Sequence, residues 1–131
     1  MSSNELDIRS LDYPNILASR ARELGSRTYL RCENARYTFV DAHLLSNRIA
    51  NGLLTAGVKR GDHVALLLDN CPEIAWYYFG IGKMGGASVP LNTAAKGELL
   101  ARYLRQSQVS CVVVEVGLLD RLLEEIGRAH V

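Results

Sequence analysis

His63-Val64-Ala65-Leu66-Leu67-Leu68 is a nearly continuous apolar run. A strand with one wet face alternates polar and apolar residues, so a run without alternation suits a parallel strand covered on both faces. Two more short apolar segments follow it, Ala87-Ser88-Val89 and the β-branched Cys111-Val112-Val113-Val114. Each is preceded by a helical pattern, and from residue 38 onward the order reads α, β, α, β, α, β, α. With such short connections this order predicts an α/β fold: a doubly wound, mostly parallel sheet with helices on both faces.

The helices carry their own start and stop signals. Pro14 opens a helix bearing Ile16, Leu17, Ala21 and Leu24, and Gly25 stops it. Residues 1–13 are expected to be a flexible lead-in. Thr28-Tyr29-Leu30-Arg31-Cys32 and Arg36-Tyr37-Thr38 pair as a small β-hairpin around Glu33-Asn34-Ala35. Thr38 caps the next helix, with Asp41 as its capping-box partner. That helix carries Leu45, Ile49 and Leu53, widened by Leu44 and Leu54, and ends at Gly57. Pro72 opens a helix whose expected buried face is Ile74, Tyr77, Tyr78, Ile81 and Met84, and Gly85-Gly86 breaks it. A helix from about Lys96 to Ser107 carries Leu99, Leu100, Tyr103 and Leu104 as its apolar residues. The last helical pattern runs from Val116 to Ile126 with Leu118, Leu119, Leu122 and Leu123.

Composition narrows the partners. Net charge is +1, and the basic residues are scattered among acids, which argues against nucleic acid and anionic membranes. No segment approaches the ~18 consecutive apolar residues of a membrane span. The start, Met1-Ser2-Ser3-Asn4-Glu5-Leu6-Asp7, is polar and acidic, unlike a secretory signal, so a cytoplasmic location is expected. Cys32, Cys71 and Cys111 are widely spaced and odd in number, which predicts reduced, partly buried thiols.

Several patterns imitate chemistry. Gly80-Ile81-Gly82-Lys83-Met84-Gly85 spells G-x-G-x-x-G. A dinucleotide site needs that pattern between a strand and a helix N-terminus, where free N–H groups face the pyrophosphate. Here the glycines end a helix and precede a strand, so they are expected to allow close packing and a tight exit turn. Lys83 is followed by Met84, which fails the phosphate-loop pattern. His43 and His63 lack a second ligand at metal spacing and are expected to be structural. Trp76-Tyr77-Tyr78-Phe79 reads as core with a partly exposed face, and Glu124 and Glu125 as a solvated helix end. Catalytic, cofactor-binding and metal residues are therefore all assigned as none.

Tyr37-Thr38-Phe39, Asn47-Arg48-Ile49-Ala50-Asn51-Gly52-Leu53, Gly57-Val58-Lys59-Arg60-Gly61-Asp62-His63-Val64-Ala65-Leu66, Asn70-Cys71-Pro72-Glu73, Gly85-Gly86-Ala87-Ser88-Val89-Pro90-Leu91-Asn92 and Glu98-Leu99-Leu100 occur in that order. In that order they resemble the N-terminal region of adenylate-forming enzymes, the acyl-CoA synthetases and other AMP-binding ligases. Asn92-Thr93-Ala94-Ala95-Lys96-Gly97-Glu98 is most similar to the branch acting on carnitine-type or other small acyl acids. The resemblance implies ATP, magnesium and coenzyme A for the parent enzyme, with a carboxylic acid as substrate. It also implies the first part of that family's large N-terminal domain over 14–125, inactive alone, because the family's phosphate loop, ribose-binding Asp and catalytic Lys lie further along. Ile126-Gly127-Arg128-Ala129-His130-Val131 leaves the apolar pattern and equals one reading frame of a common sequencing-library adapter, so 126–131 is expected to be a non-native tail. The alternative reading is a stand-alone Rossmann- or flavodoxin-like nucleotide-binding module. A non-catalytic interaction domain is a third.

Overall fold

The structure is a computed structural model that describes residues 12–129, with side chains through residue 127. The lead-in 1–11 and residues 130–131 lie outside the described residues.

A three-stranded parallel sheet forms the centre, with β3 (His63–Leu67) between β4 (Ala87–Pro90) and β5 (Cys111–Val114). Val64 is level with Ser88 on one side and Cys111 on the other. The unalternating run is thus the middle strand, and residues 64–67 are buried. Its side chains serve two cores. Val64 and Leu66 join α2 (Phe39–Thr55) and α3 (Pro72–Lys83) through Ala50, Leu53, Ile81 and Met84. Leu67 joins α4 (Gly97–Ser107) and α5 (Leu119–Ala129) through Leu100, Leu104 and Leu122. Helices therefore cover both faces, as the doubly wound pattern predicts.

The hairpin of β1 (Thr28–Cys32) and β2 (Ala35–Thr38) stands apart as an antiparallel pair. It turns at Glu33, whose φ is +52°. A two-stranded ribbon is marginal in water alone. Here Tyr29 and Tyr37 anchor it to α1 (Tyr13–Leu24), α2 and α3 around Leu17, Ala42 and Trp76.

Capping sets the helix ends. The Asp41 N–H donates to Thr38 Oγ1 at 3.0 Å, and the Thr38 N–H donates back to Asp41 Oδ2 at 2.8 Å. Gly57, at φ +96°, lets the Val58 N–H turn back to the Leu53 carbonyl at 3.0 Å. Thr38→Ala is expected to cost about 1 kcal/mol, read as a lower urea midpoint with an unchanged slope.

Several boundaries and faces differ from expectation. Asp12 and Tyr13, read as lead-in, are the cap and first residue of α1, and Asp12 Oδ1 accepts the Asn15 N–H at 2.9 Å. The buried stripe of α2 is Ala42, Ser46, Ala50 and Leu53, while Leu44 and Leu54 are exposed. On α3 the buried residues are Trp76, Gly80 and Ile81, with Ile74, Tyr77 and Tyr78 only half-buried. Where α2 and α3 come closest, at Gly80 against Ser46 and Ile49, the approach leaves no room for a Cβ. Leu99 of α4 faces solvent, and Ala101 takes its place inside. The last pattern divides into a 3-10 turn at Val116–Leu118 and α5. Ile126 packs on the Leu67 cluster.

Candidate functional site

Open parallel sheets bind ligands outside the carboxyl ends of their strands, where the connections diverge. The helix after β3 packs on one face and the helix after β5 on the other, which places that crevice between the C-terminal ends of β3 and β5. Its backbone is closed by its own chain. The Glu115 N–H donates to the Leu67 carbonyl at 3.3 Å, and Glu115 Oε1 accepts the Asp69 N–H at 2.5 Å. Beside it, Asn92 Oδ1 accepts the Ala94 N–H at 2.9 Å, and Arg121 Nη1 donates to the Thr93 carbonyl at 2.7 Å. Among the described residues, no three His, Cys, Asp or Glu side chains group as metal ligands.

A polar constellation lies between α2 and α3. Lys83 Nζ sits 2.7 Å from Ser46 Oγ, 2.8 Å from Asn47 Oδ1, 3.1 Å from the His43 carbonyl and 3.0 Å from His43 Nδ1. Ser46 is fully buried, and its hydroxyl donates to the His43 carbonyl at 2.9 Å. Burial lowers the Lys83 pKa from 10.5 to about 8. Burial also lowers that of His43, helped by the nearby Lys83 and Arg22 charges. An ammonium has three protons for these four partners. The direction of the His43 Nδ1 contact depends on the imidazole tautomer.

Sequence reasoning passed over this cluster, weighing His43 alone and Lys83 only as a phosphate-loop lysine. A signal existed: Trp76, Gly80 and Lys83 fall at i, i+4 and i+7, which puts Lys83 on the buried stripe.

The G-x-G-x-x-G glycines close the end of α3, and β4 follows. A Cβ at Gly80 would stand 2.6 Å from Ile49 Cγ2, and one at Gly82 would strike the Tyr13 ring. Gly85 has φ +83°, and the Gly86 N–H turns back to the Ile81 carbonyl at 2.9 Å. These are the close packing and tight exit turn that the pattern predicts. His63 Nδ1–H donates to the Ser107 carbonyl at 2.7 Å, tying the start of β3 to the end of α4. Cys32, Cys71 and Cys111 are free and half-buried, and burial raises the thiol pKa of the last two. Glu124 is exposed as expected, but Glu125 is only 3% exposed, because it shares the inward face of α5 with Leu122 and Ile126.

Central parallel sheet, two covering helix layers and satellite hairpin together define an α/β scaffold of the kind found in the N-terminal domain of adenylate-forming enzymes. The chain belongs to the AMP-binding enzyme family, whose model matches residues 17–131. It is 40% identical over 95 residues to a crotonobetaine/carnitine–CoA ligase of Escherichia coli, covering 69% of this chain and 18% of the relative. The same figures hold for the ligase of that name from Shigella dysenteriae. The chain thus spans about a fifth of the length of the curated relatives it matches. Among solved structures, an anthranilate CoA ligase in complex with anthranoyl-AMP is 26% identical with a TM-score of 0.82, covering 88% of this chain and 22% of that one. A benzoate CoA ligase of Burkholderia xenovorans has the same fold, with a TM-score of 0.81 at 17% identity over 87% of this chain and 23% of that one.

Among the described residues, no helix is long and apolar enough to cross a membrane.

Proposed function

We propose that this chain is scaffold from an ATP-dependent acyl-CoA ligase. The whole protein activates a carboxylic acid as its acyl-adenylate and passes the acyl group to coenzyme A. A carboxylate is a poor electrophile, and AMP is a good leaving group, so adenylation is what makes the transfer possible. The observation that carries this reading is the 40% identity to the crotonobetaine/carnitine–CoA ligase, within the family match. That relative also favours a small carnitine-type acid as substrate.

The segment itself is proposed to be inactive. At its strand-end crevice the Glu115 carboxylate is taken up by the Asp69 N–H, and beside it Asn92 and Arg121 are engaged by the Ala94 N–H and the Thr93 carbonyl. Its role is to build the sheet on which catalytic segments are mounted.

The test is pyrophosphate release with ATP, magnesium, coenzyme A and crotonobetaine or carnitine. The 131-residue chain is expected to give none. A longer protein carrying this sequence is expected to release pyrophosphate and form the thioester. Release by the short chain would overturn the scaffold reading, and failure of the longer protein on every carboxylic acid would overturn the ligase reading.

A further inference from the structure

Lys83 and His43 form a pairing that the scaffold role does not require. A nucleophile within hydrogen-bond reach of a base, the base held by its surroundings, is the signature of an activated nucleophile. Lys83 Nζ lies 3.0 Å from His43 Nδ1, and the His43 carbonyl is held by both Ser46 Oγ and Lys83 Nζ. Lys83 is half-buried and, with Tyr13, Gly82, Gly85 and Gly86, lines a cavity of 350 Å³.

We propose that Lys83 is an acyl-acceptor site, taking a small acyl group from a mixed acyl-phosphate anhydride with His43 as the base. The unprotonated Nζ attacks the acyl carbon, and the C–N bond forms. The acyl C–O bond to phosphate breaks, and the phosphate leaves with the bonding pair. The surplus N–H proton passes to His43 Nδ1 and then to water, leaving a neutral amide. Acylation removes the charge that bridges α2 and α3 at Ser46 and Asn47, so the modified chain loses that tie. An acyl-adenylate is one such anhydride; naming it as the physiological donor rests on the ligase reading above, whereas the site itself does not.

Reactivity follows from the amount of free amine. With a pKa of about 8, Lys83 holds about two-hundredfold more neutral amine at pH 7.5 than an ordinary lysine. Its lower basicity offsets part of this, leaving about tenfold in rate. Lys59 and Lys96, both exposed, are built-in references.

Acetyl phosphate is the probe, because it needs no ligase activity, and peptide mass spectrometry reads each lysine of the 131-residue chain. Lys83 is expected to acetylate about tenfold faster than Lys59 and Lys96 at pH 7.5, with a rate that levels off above pH 8. His43→Gln is expected to slow Lys83 by about tenfold or more and leave the two references unchanged. The preference is expected to vanish for the wild-type chain in concentrated urea, which keeps the test independent of whether the variant folds. Equal rates at the three lysines in native buffer would overturn the proposal. So would a preference that persists in urea, or an unchanged Lys83 rate in a folded His43→Gln chain. Lys83 selectivity without ligase activity in the longer protein would sink the proposed function and leave this site standing.

Discussion

Alanine at Gly80 is expected to destabilise the chain by about 2 kcal/mol, while alanine at Gly52 is expected to stabilise it by about 0.5–1 kcal/mol. Both glycines lie inside helices, where replacing glycine by alanine gains up to about 1 kcal/mol of helix propensity. The surroundings decide the sign. A Cβ at Gly52 meets nothing within 4 Å, so the propensity gain is kept. A Cβ at Gly80 would stand 2.6 Å from Ile49 Cγ2, 2.9 Å from Ile49 Cβ and 3.0 Å from the Ser46 carbonyl oxygen. All three atoms belong to α2, and Ile49 Cβ and the Ser46 oxygen are fixed by its backbone and cannot swing aside, so α3 must move away as a body. That motion also stretches the Lys83 bonds to Ser46 and Asn47, one turn further along. Urea unfolding followed by circular dichroism of the two variants is the check. Two shifts of the same sign would show that propensity outweighs packing, and the close approach of α2 and α3 would then have no energetic weight.

The parallel sheet was legible because a strand buried on both faces has no freedom in composition. Leu66 and Leu67 point to opposite faces, each face has its own helix pair, and only an apolar run satisfies both. The hairpin, the Thr38–Asp41 box and the Gly57 stop were legible for a local reason, since each is specified within a few residues. The faces of α2, α3 and α4 were not. Periodicity points large apolar residues inward, yet Leu44, Leu54 and Leu99 are exposed while Ser46, Gly80 and Ala101 are inside. Which stripe is buried depends on how closely the partner helix approaches, and that distance is a property of the pair. The same blindness hid Lys83. Its charge reads as surface in one dimension, and only the neighbouring helix supplies the Ser46 and Asn47 oxygens that make its burial tolerable.

Trp76 belongs to the aromatic run expected as core with a partly exposed face, and it is 4% exposed and stands at the junction of three elements. Leu17 of α1 and Ala42 of α2 share its cluster. From the hairpin, the Tyr37 ring meets it edge-on at 5.2 Å, and Tyr29 lies at 6.0 Å. Tyr29 passes the contact on to Phe39 at 5.2 Å and Phe79 at 6.2 Å. Removing the indole leaves a void that these rings cannot fill together, because each is held by backbone of a different element. Trp76→Ala is therefore expected to cost about 3–5 kcal/mol, a large fraction of the ~5–15 kcal/mol typical of a whole domain. The loss should be uneven. Among the described residues β1 and β2 have no sheet neighbour beyond each other, so their attachment leans on this aromatic contact. Hydrogen exchange at the cross-strand amides of residues 30–37 is expected to approach the unprotected rate in the variant, while the amides of β3 keep most of their protection. Trp76→Phe keeps a ring and is expected to retain over half of the stability difference. A Trp76→Ala chain with an unchanged urea midpoint and an undisturbed hairpin would mean that the ribbon is held by the Arg36 bonds to Thr28 and the Ser26 carbonyl instead.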